Sequence, residues 1–272
     1  MAEPLPSYTV KARNTSTSSE NKIHDDAVAK TYGFRGGLVP GVTVYAYLTR
    51  PLVATLGPAW LDRGTASVRF TKPVFDGEEA TVTGEITERT GKGLTAALRL
   101  ATAANGECAA MAVTLPAGLP TPINPALYRE AQVPAERPDA TRQHLGAIDV
   151  LGSPAIRYDE AEAIAYLDRV ADDLGVYRGA GGRAHPAFYL QLANRALTAN
   201  VRMPAWIHAG SVVRHLAAGR IGQTLSTRGR VRSLFEKKGR EFVELDLALV
   251  ADGKPVAHIL HTAIYRLPAP PQ

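Results

Sequence analysis

Seven side chains in this 272-residue chain can change charge near neutral pH: His24, His144, His185, His208, His215, His258 and His261. His24 stands in the most suggestive context. It lies in SSENKIHDDAVAKTYGFRGGLVPG, residues 18–41. A polar loop leads to it and a short helical stretch follows. A Gly-rich turn comes next, then Gly41 at the start of an apolar helix. The first N–H groups of a helix have no internal partner and carry the positive end of its dipole. A thioester oxygen placed there gains stabilisation as enolate charge develops. Gly41 has no side chain to hold such a carbonyl away. A histidine beside it, titrating near neutrality, can move a proton. Spacing alone leaves the alternative open that His24 is a turn residue bonded to the backbone.

The other chemistry-bearing residues point elsewhere or nowhere. No HExxH and no Cys/His ligand spacing occurs, so no metal site is expected. There is no GxGxxG, no phosphate-binding Walker loop and no GxSxG elbow, so no cofactor is expected either. The single cysteine, Cys108, cannot form an intramolecular disulfide and sits in an alanine-rich segment as a small buried hydrophobe. Lys and Arg number 31 against 26 Asp and Glu, a net +5 with a pI near 9.3, too mild for a nucleic-acid binder. Arg228, Arg230 and Arg232 fall on one face if their segment is a strand. They are either a solvated strand face or a docking surface for a phosphorylated ligand. His185 opens a second apolar helix as a cap or packing residue. His208 follows Trp206 in PAWIHAGS, a turn able to line a pocket, and His258 reads as a satisfied sheet residue.

Composition bounds the elements that must position these groups. The chain is 45% hydrophobic and 21% charged, which excludes wholesale disorder. No run of about 18 apolar residues exists, so no membrane span is expected. The first residues, MAEPLPSYTVKARNTSTSSEN, lack the apolar core of a signal peptide, and one unpaired thiol fits a reducing compartment, so a cytoplasmic location is expected.

A faint repeat recurs at an offset of 145 to 146 residues. Pro58-Ala59-Trp60 matches Pro204-Ala205-Trp206, and Ser67-Val68-Arg69 matches Val212-Val213-Arg214. Gly36-Gly37, Gly77 and Gly84 match Gly181-Gly182, Gly222 and Gly229. Between the copies runs PAGLPTPINPALYREAQVPAERPDATRQ, Pro-rich and without apolar period, which reads as a linker. The expected organisation is therefore a module over 1–115, a linker over 116–144 and a module over 145–272. Each copy shows a Gly-rich turn, one apolar helix and then strands. The helices are GVTVYAYLTRPLVATLG, where Pro51 should kink or shorten the element, and PAFYLQLANRALTANV. Val243, Leu245, Leu247 and Leu249 alternate strictly, and Asp252-Gly253 marks a hairpin. The fold class expected is α+β: two tandem modules, each one helix wrapped by an antiparallel sheet, paired edge to edge.

The His24 segment resembles the MaoC-like dehydratases, the (R)-specific enoyl-CoA hydratase group with the hot-dog fold. Their signature is D-x-N-P-[LIV]-H-x-D-x-x-x-A, a Gly-containing turn, then H-G at the helix start. Asn21, Ile23, His24 and Asp26 stand in matching places, with Gly41 as the helix-start glycine. VRFTKPVFDGEEATVTGEI, residues 68–86, resembles the family's R-F-x-x-P-V-x-x-G-D strand pair. The resemblance implies a double hot-dog that hydrates a 2-enoyl group or dehydrates a 3-hydroxyacyl group on acyl-CoA or an acyl carrier protein. It implies His24 as general base and acid, the Gly41 N–H as oxyanion donor, Asn21 as loop support, and Ser19 or Glu20 as holder of the water. Arg228, Arg230 and Lys237 would meet the carrier's phosphates, with His185 and His208 near substrate. A homodimer of double hot-dogs is an open arrangement.

The chain departs from the signature where it matters. Ser19 stands at the catalytic acid, Lys22 at the signature Pro, and Pro40 at the His of H-G. Glu20 is one residue from the acid position, and neighbours on an extended segment point to opposite sides. In the second copy Arg169 stands where His24 stands in the first, so at most one site is expected per chain, with the second copy shaping the acyl pocket. Two alternatives follow: a lapsed acyl-thioester-binding or scaffold protein, and a thioesterase on the same fold. The latter needs a carboxylate from Asp25, Asp26 or Glu20.

Overall fold

A computed structural model describes residues 2–268. The first half runs β1 (Glu3–Pro4), β2 (Tyr8–Lys11), α1 (Asp26–Thr31), α2 (Gly41–Leu56), α3 (Pro58–Arg63), β3 (Thr65–Phe70), β4 (Glu79–Thr90), β5 (Gly93–Thr102) and β6 (Gly106–Pro116). The second runs α4 (Arg142–Gly146), β7 (Ala155–Tyr158), α5 (Glu160–Val170), α6 (Pro186–Thr198), β8 (Ile207–His215), β9 (Gln223–Lys237), β10 (Arg240–Ala251) and β11 (Lys254–Arg266).

The strands form one antiparallel sheet in the order β1-β4-β5-β6-β3-β8-β11-β10-β9-β7, with β2 also on β4. Read outward from the centre, each half repeats one order: β3-β6-β5-β4 on one side, β8-β11-β10-β9 on the other. The seam is β3 against β8, where the repeated triplets meet, Ser67 facing Val212 and Val68 facing Ser211. Helices α2 and α6 pack against each other inside the curved sheet. Because the sheet wraps α2, the helix is buried nearly all round, from Val42 to Val53 with few breaks. Pro51 does not end it; α2 continues unbroken to Leu56.

The repeated glycines do matching work. Gly77 and Gly222 both hold a left-handed backbone, φ 77° and 93°, at the turns into β4 and β9. The Pro-Ala-Trp triplets do not match in structure: Pro58–Trp60 opens α3, whereas 204–206 is a bend leading into β8. Asp252 and Gly253, both at positive φ, close the expected hairpin.

The Pro-rich stretch straps the outer face of the second half. Tyr128 Oη donates to Asp246 Oδ1 at 2.9 Å, and its ring clusters with Ala248 and Val250. That cover explains why β10 is buried on both faces and not on alternate residues only.

Candidate active site

His24 ends a 3-10 turn, Lys22–His24, capped by Asn21. Its Nδ1 lies 2.7 Å from the Leu38 carbonyl oxygen, which can only accept. The neutral ring therefore carries its proton on Nδ1 and its lone pair on Nε2. Nε2 meets the Asn21 amide nitrogen at 3.3 Å. Burial holds the His24 pKa below its ordinary value, against the pull of the Leu38 bond, so the ring is a neutral base at pH 7. The loop is sewn in place from both halves. Asn21 Nδ2 donates to Trp206 O at 3.0 Å, and Asn21 Oδ1 accepts from Trp206 N at 3.1 Å. Asn14 Nδ2 donates to His24 O at 2.8 Å.

Gly41 opens α2, and the preceding Pro40 supplies no side-chain cap. Thr43 N and Val44 N donate to Pro40 O, so Gly41 is left with a first-turn N–H that has no helical partner, at a cavity of about 270 Å³ lined by His24, Asn21, Gly41, Phe70, Trp206 and His208. A methyl group on Gly41 would meet His208 Nδ1 at 3.1 Å and the Phe70 ring at 3.2 Å. His208 is buried, and its Nδ1 has no partner. Its Nε2 lies 2.8 Å from Ser211 Oγ, which lies 3.0 Å from His261 Nδ1. A hydroxyl has one proton to give, so one of these two ring nitrogens donates and the other accepts. Burial, and then the neighbouring His261, push the His208 pKa well below its ordinary value.

Beyond His24 lies a second chamber of about 380 Å³, lined by Ser19, Thr43, Gln191, Val201 and Met203 among others. The two spaces share Asn21, His24, Pro40, Asn194 and Trp206. Asn194 Oδ1 is buried there without a partner.

Several expected site residues are placed elsewhere. Glu20 lies at the rim of the second chamber, but its carboxylate is held in a two-bond ion pair with Arg137, at 2.9 and 3.2 Å, because the strap brings that arginine alongside. Ser19 lines the second chamber but spends its hydroxyl on the Asn21 carbonyl at 3.1 Å. Asp25 caps α1 through Val28 N, and Asp26 accepts from Gly37 N, so neither carboxylate lines the cavity. His185 is wholly buried at the start of α6, bonded to Ala187 N and to Asp172 Oδ2, away from either chamber. Arg228 and Arg230 pair with Glu130 and Asp246 under the strap and line neither space. Lys237, at the tip of β9, lies in a groove beside the cavity. Asn194 went unnoticed in the sequence, because Gln191 and Arg195 on the same helix leave nothing local to set it apart. Among the described residues no cluster of ligating side chains suits a metal ion, and no helix is long and apolar enough to cross a membrane.

No protein-family profile and no curated protein matches the chain. Solved structures do. One described as a MaoC domain protein dehydratase from Chloroflexus aurantiacus J-10-fl superposes with TM-score 0.68 at 10% identity, covering 98% of this chain and 95% of that one. A conserved Mycobacterium tuberculosis protein with a double hotdog fold gives 0.64 at 14% identity, covering 97% and 96%. The chain has the double hot-dog fold. A structure described as an oleoyl thioesterase from Lactobacillus plantarum also superposes, at 0.56 and 11% identity over 97% of each chain, so the fold alone does not choose between these activities.

Proposed function

We propose that this double hot-dog hydrates a 2-enoyl thioester, or dehydrates the 3-hydroxyacyl product, in the space between His24 and Gly41. The observation that carries the reading is the His24 tautomer. The Leu38 carbonyl holds the proton on Nδ1, so Nε2 is the basic nitrogen at the cavity, beside an uncapped helix start, and the incoming water takes the place of its long bond from the Asn21 amide. The thioester oxygen sits at the Gly41 N–H, with His208 on its other side. Water between His24 Nε2 and Asn194 Oδ1 adds its oxygen to C3 and gives its proton to Nε2. The electron pair moves to the thioester oxygen, and His24 returns the proton to C2. Asn194 supplies the acceptor that Ser19 and Glu20 cannot, and Asn21 holds the loop that carries the ring. The acyl chain enters the second chamber. Residues 1–115 form the catalytic module and 145–272 the module that shapes the pocket. Cys108, buried and reduced, suits the cytoplasm in which we place the enzyme.

The thioesterase alternative is disfavoured by the lack of a free carboxylate at the helix start, Asp25 and Asp26 being engaged in local bonds. Following one crotonyl-type thioester by two readouts decides between them. Hydration removes the conjugated enone without releasing thiol, whereas hydrolysis releases thiol. The expected result is enone loss alone. Thiol release at the same rate would make the protein a hydrolase. Binding with neither product would make it a binding protein.

A further inference from the structure

Past Phe70 and Arg240, which line both spaces, the cavity meets a groove of about 590 Å³ on the outer face of the sheet. The groove crosses the β3–β8 seam and ends at the β9–β10 hairpin. Lys238 and Gly239, at φ 53° and 68°, close that hairpin and gather Lys237, Lys238 and Arg240 at its tip. Arg69 joins them from β3. None of these four cations forms an ion pair among the described residues, whereas Arg228, Arg230 and Arg232 on the same hairpin are each paired. The one carboxylate lining the groove, Glu244, is already met by Arg232 at 2.9 Å. Beside the cations lie Phe235 and Phe242, a cross-strand pair stacked with ring centroids 4.9 Å apart and planes 5° apart. Phe235 is 37% exposed, one of the few large apolar side chains left so.

Four like charges without counter-charge, next to an exposed aromatic face, lower the stability of the empty groove. They complement a ligand with clustered phosphates and a flat heterocycle. We propose that the groove binds the nucleotide end of coenzyme A, with its adenine against Phe235 and Phe242 and its phosphates on Lys237, Lys238, Arg240 and Arg69. The thioester arm then passes Arg240 into the cavity. A carrier protein brings one phosphodiester and no heterocycle, so it leaves the aromatic pair unused. The inference rests on the acyl-thioester reading for what fills the cavity, but the groove can be tested without it.

The test titrates the full chain with adenosine 3′,5′-bisphosphate, which contains no thioester, at low and high salt. Wild type should bind, more weakly as salt rises, because exposed charges are screened beyond roughly 10 Å at 0.1 M. Lys237→Glu/Lys238→Glu should weaken binding about tenfold or more, the scale of losing charge-assisted bonds. The same variant should raise KM for an acyl-CoA while leaving KM for the matching acyl-pantetheine unchanged. Phe235→Ala should weaken the bisphosphate but not inorganic pyrophosphate. If wild type binds the bisphosphate and the double variant does not, yet no thioester turns over, the groove stands and only the enzyme reading falls. Wild type that ignores the bisphosphate, or a double variant with unchanged acyl-CoA KM, overturns the proposal. So does an acyl carrier protein preferred to acyl-CoA.

Discussion

The two helix starts of this double hot-dog occupy equivalent places in repeated topology, and they are built in opposite ways. At α2 the cap position is Pro40, which offers no side-chain cap, and the next residue is Gly41, so a first-turn N–H without a helical partner lies at an open cavity. At α6 the cap is His185, whose Nδ1 accepts from Ala187 N, and the next residue is Pro186, which has no N–H. Tyr166 and Tyr177 pack against His185 with centroids 5.4 and 4.6 Å away, Phe188 adds a third ring, and all are buried. One pole is kept polar and open, while the other is capped and filled. Side chains around a helix start, not the fold, decide whether its dipole serves a ligand or only the helix.

If that contrast is right, substitutions at the two poles fail differently. His24→Ala should cut any hydration rate by about 10²–10⁴-fold, the usual worth of a general acid–base group, with the thermal midpoint little changed. Phe188→Ala at the filled pole should cost about 3–5 kcal/mol of stability, the range for emptying a buried aromatic site. A destabilised His24→Ala with unaltered turnover would erase the distinction.

Gly41→Ala sharpens it. Its methyl would press on His208 Nδ1 and Phe70, closing the space for a carbonyl, while alanine is the better helix former. Turnover should fall by about tenfold or more without loss of stability, an effect smaller than that of removing the base. Unchanged turnover would place the carbonyl elsewhere.

The strands at the β3–β8 seam also carry a pH signature, from His261 beside His208 to His215 against Trp60 of α3. Burial holds His215 at about 4 and His261 at about 3, and neither His215 ring nitrogen has a partner. Unfolded histidines titrate near 6.5. Between roughly 6.5 and those folded values the unfolded chain binds more protons, so stability is full above pH 6.5 and falls as pH drops toward 4. The urea midpoint should decline over that range, and His215→Leu should flatten the decline. A midpoint independent of pH would contradict the buried neutral state.

The smallest effect is expected at Glu20. Its carboxylate is 76% exposed and paired with Arg137, which holds it below the usual carboxylate range. Glu20→Gln should change stability by no more than about 1 kcal/mol and leave turnover alone. A large loss of activity would mean that Glu20 had taken over as the acid.

The pattern of the chain carries much of this fold. The order of helix and strands, the repeated glycines, and the pairing of His24 with Gly41 are legible from pattern and spacing, whereas Asn21 enters only through the resemblance to a family signature. What is not legible depends on partners distant in sequence. Glu20 is adjacent to the acid position, but Arg137 holds its carboxylate, and nothing local to residue 20 encodes that. Arg228 and Arg230 look like a docking face until the strap lays Glu130 and Tyr128 across them. Pro51 should break α2 by propensity, but burial all around the helix outweighs it. Asn194 reveals its role only once α6 is docked against the His24 loop.

The contrast between the poles is tested most directly by the carbonyl stretch of a bound, isotope-labelled acyl thioester, read by difference infrared spectroscopy. The carbonyl is predicted to shift to lower frequency in wild type, as it would against the Gly41 N–H. The shift should persist in Glu20→Gln and be lost in Gly41→Ala. A bound carbonyl with the frequency of the thioester in water, or one indifferent to Gly41→Ala, would contradict the assignment of the α2 start as the thioester site.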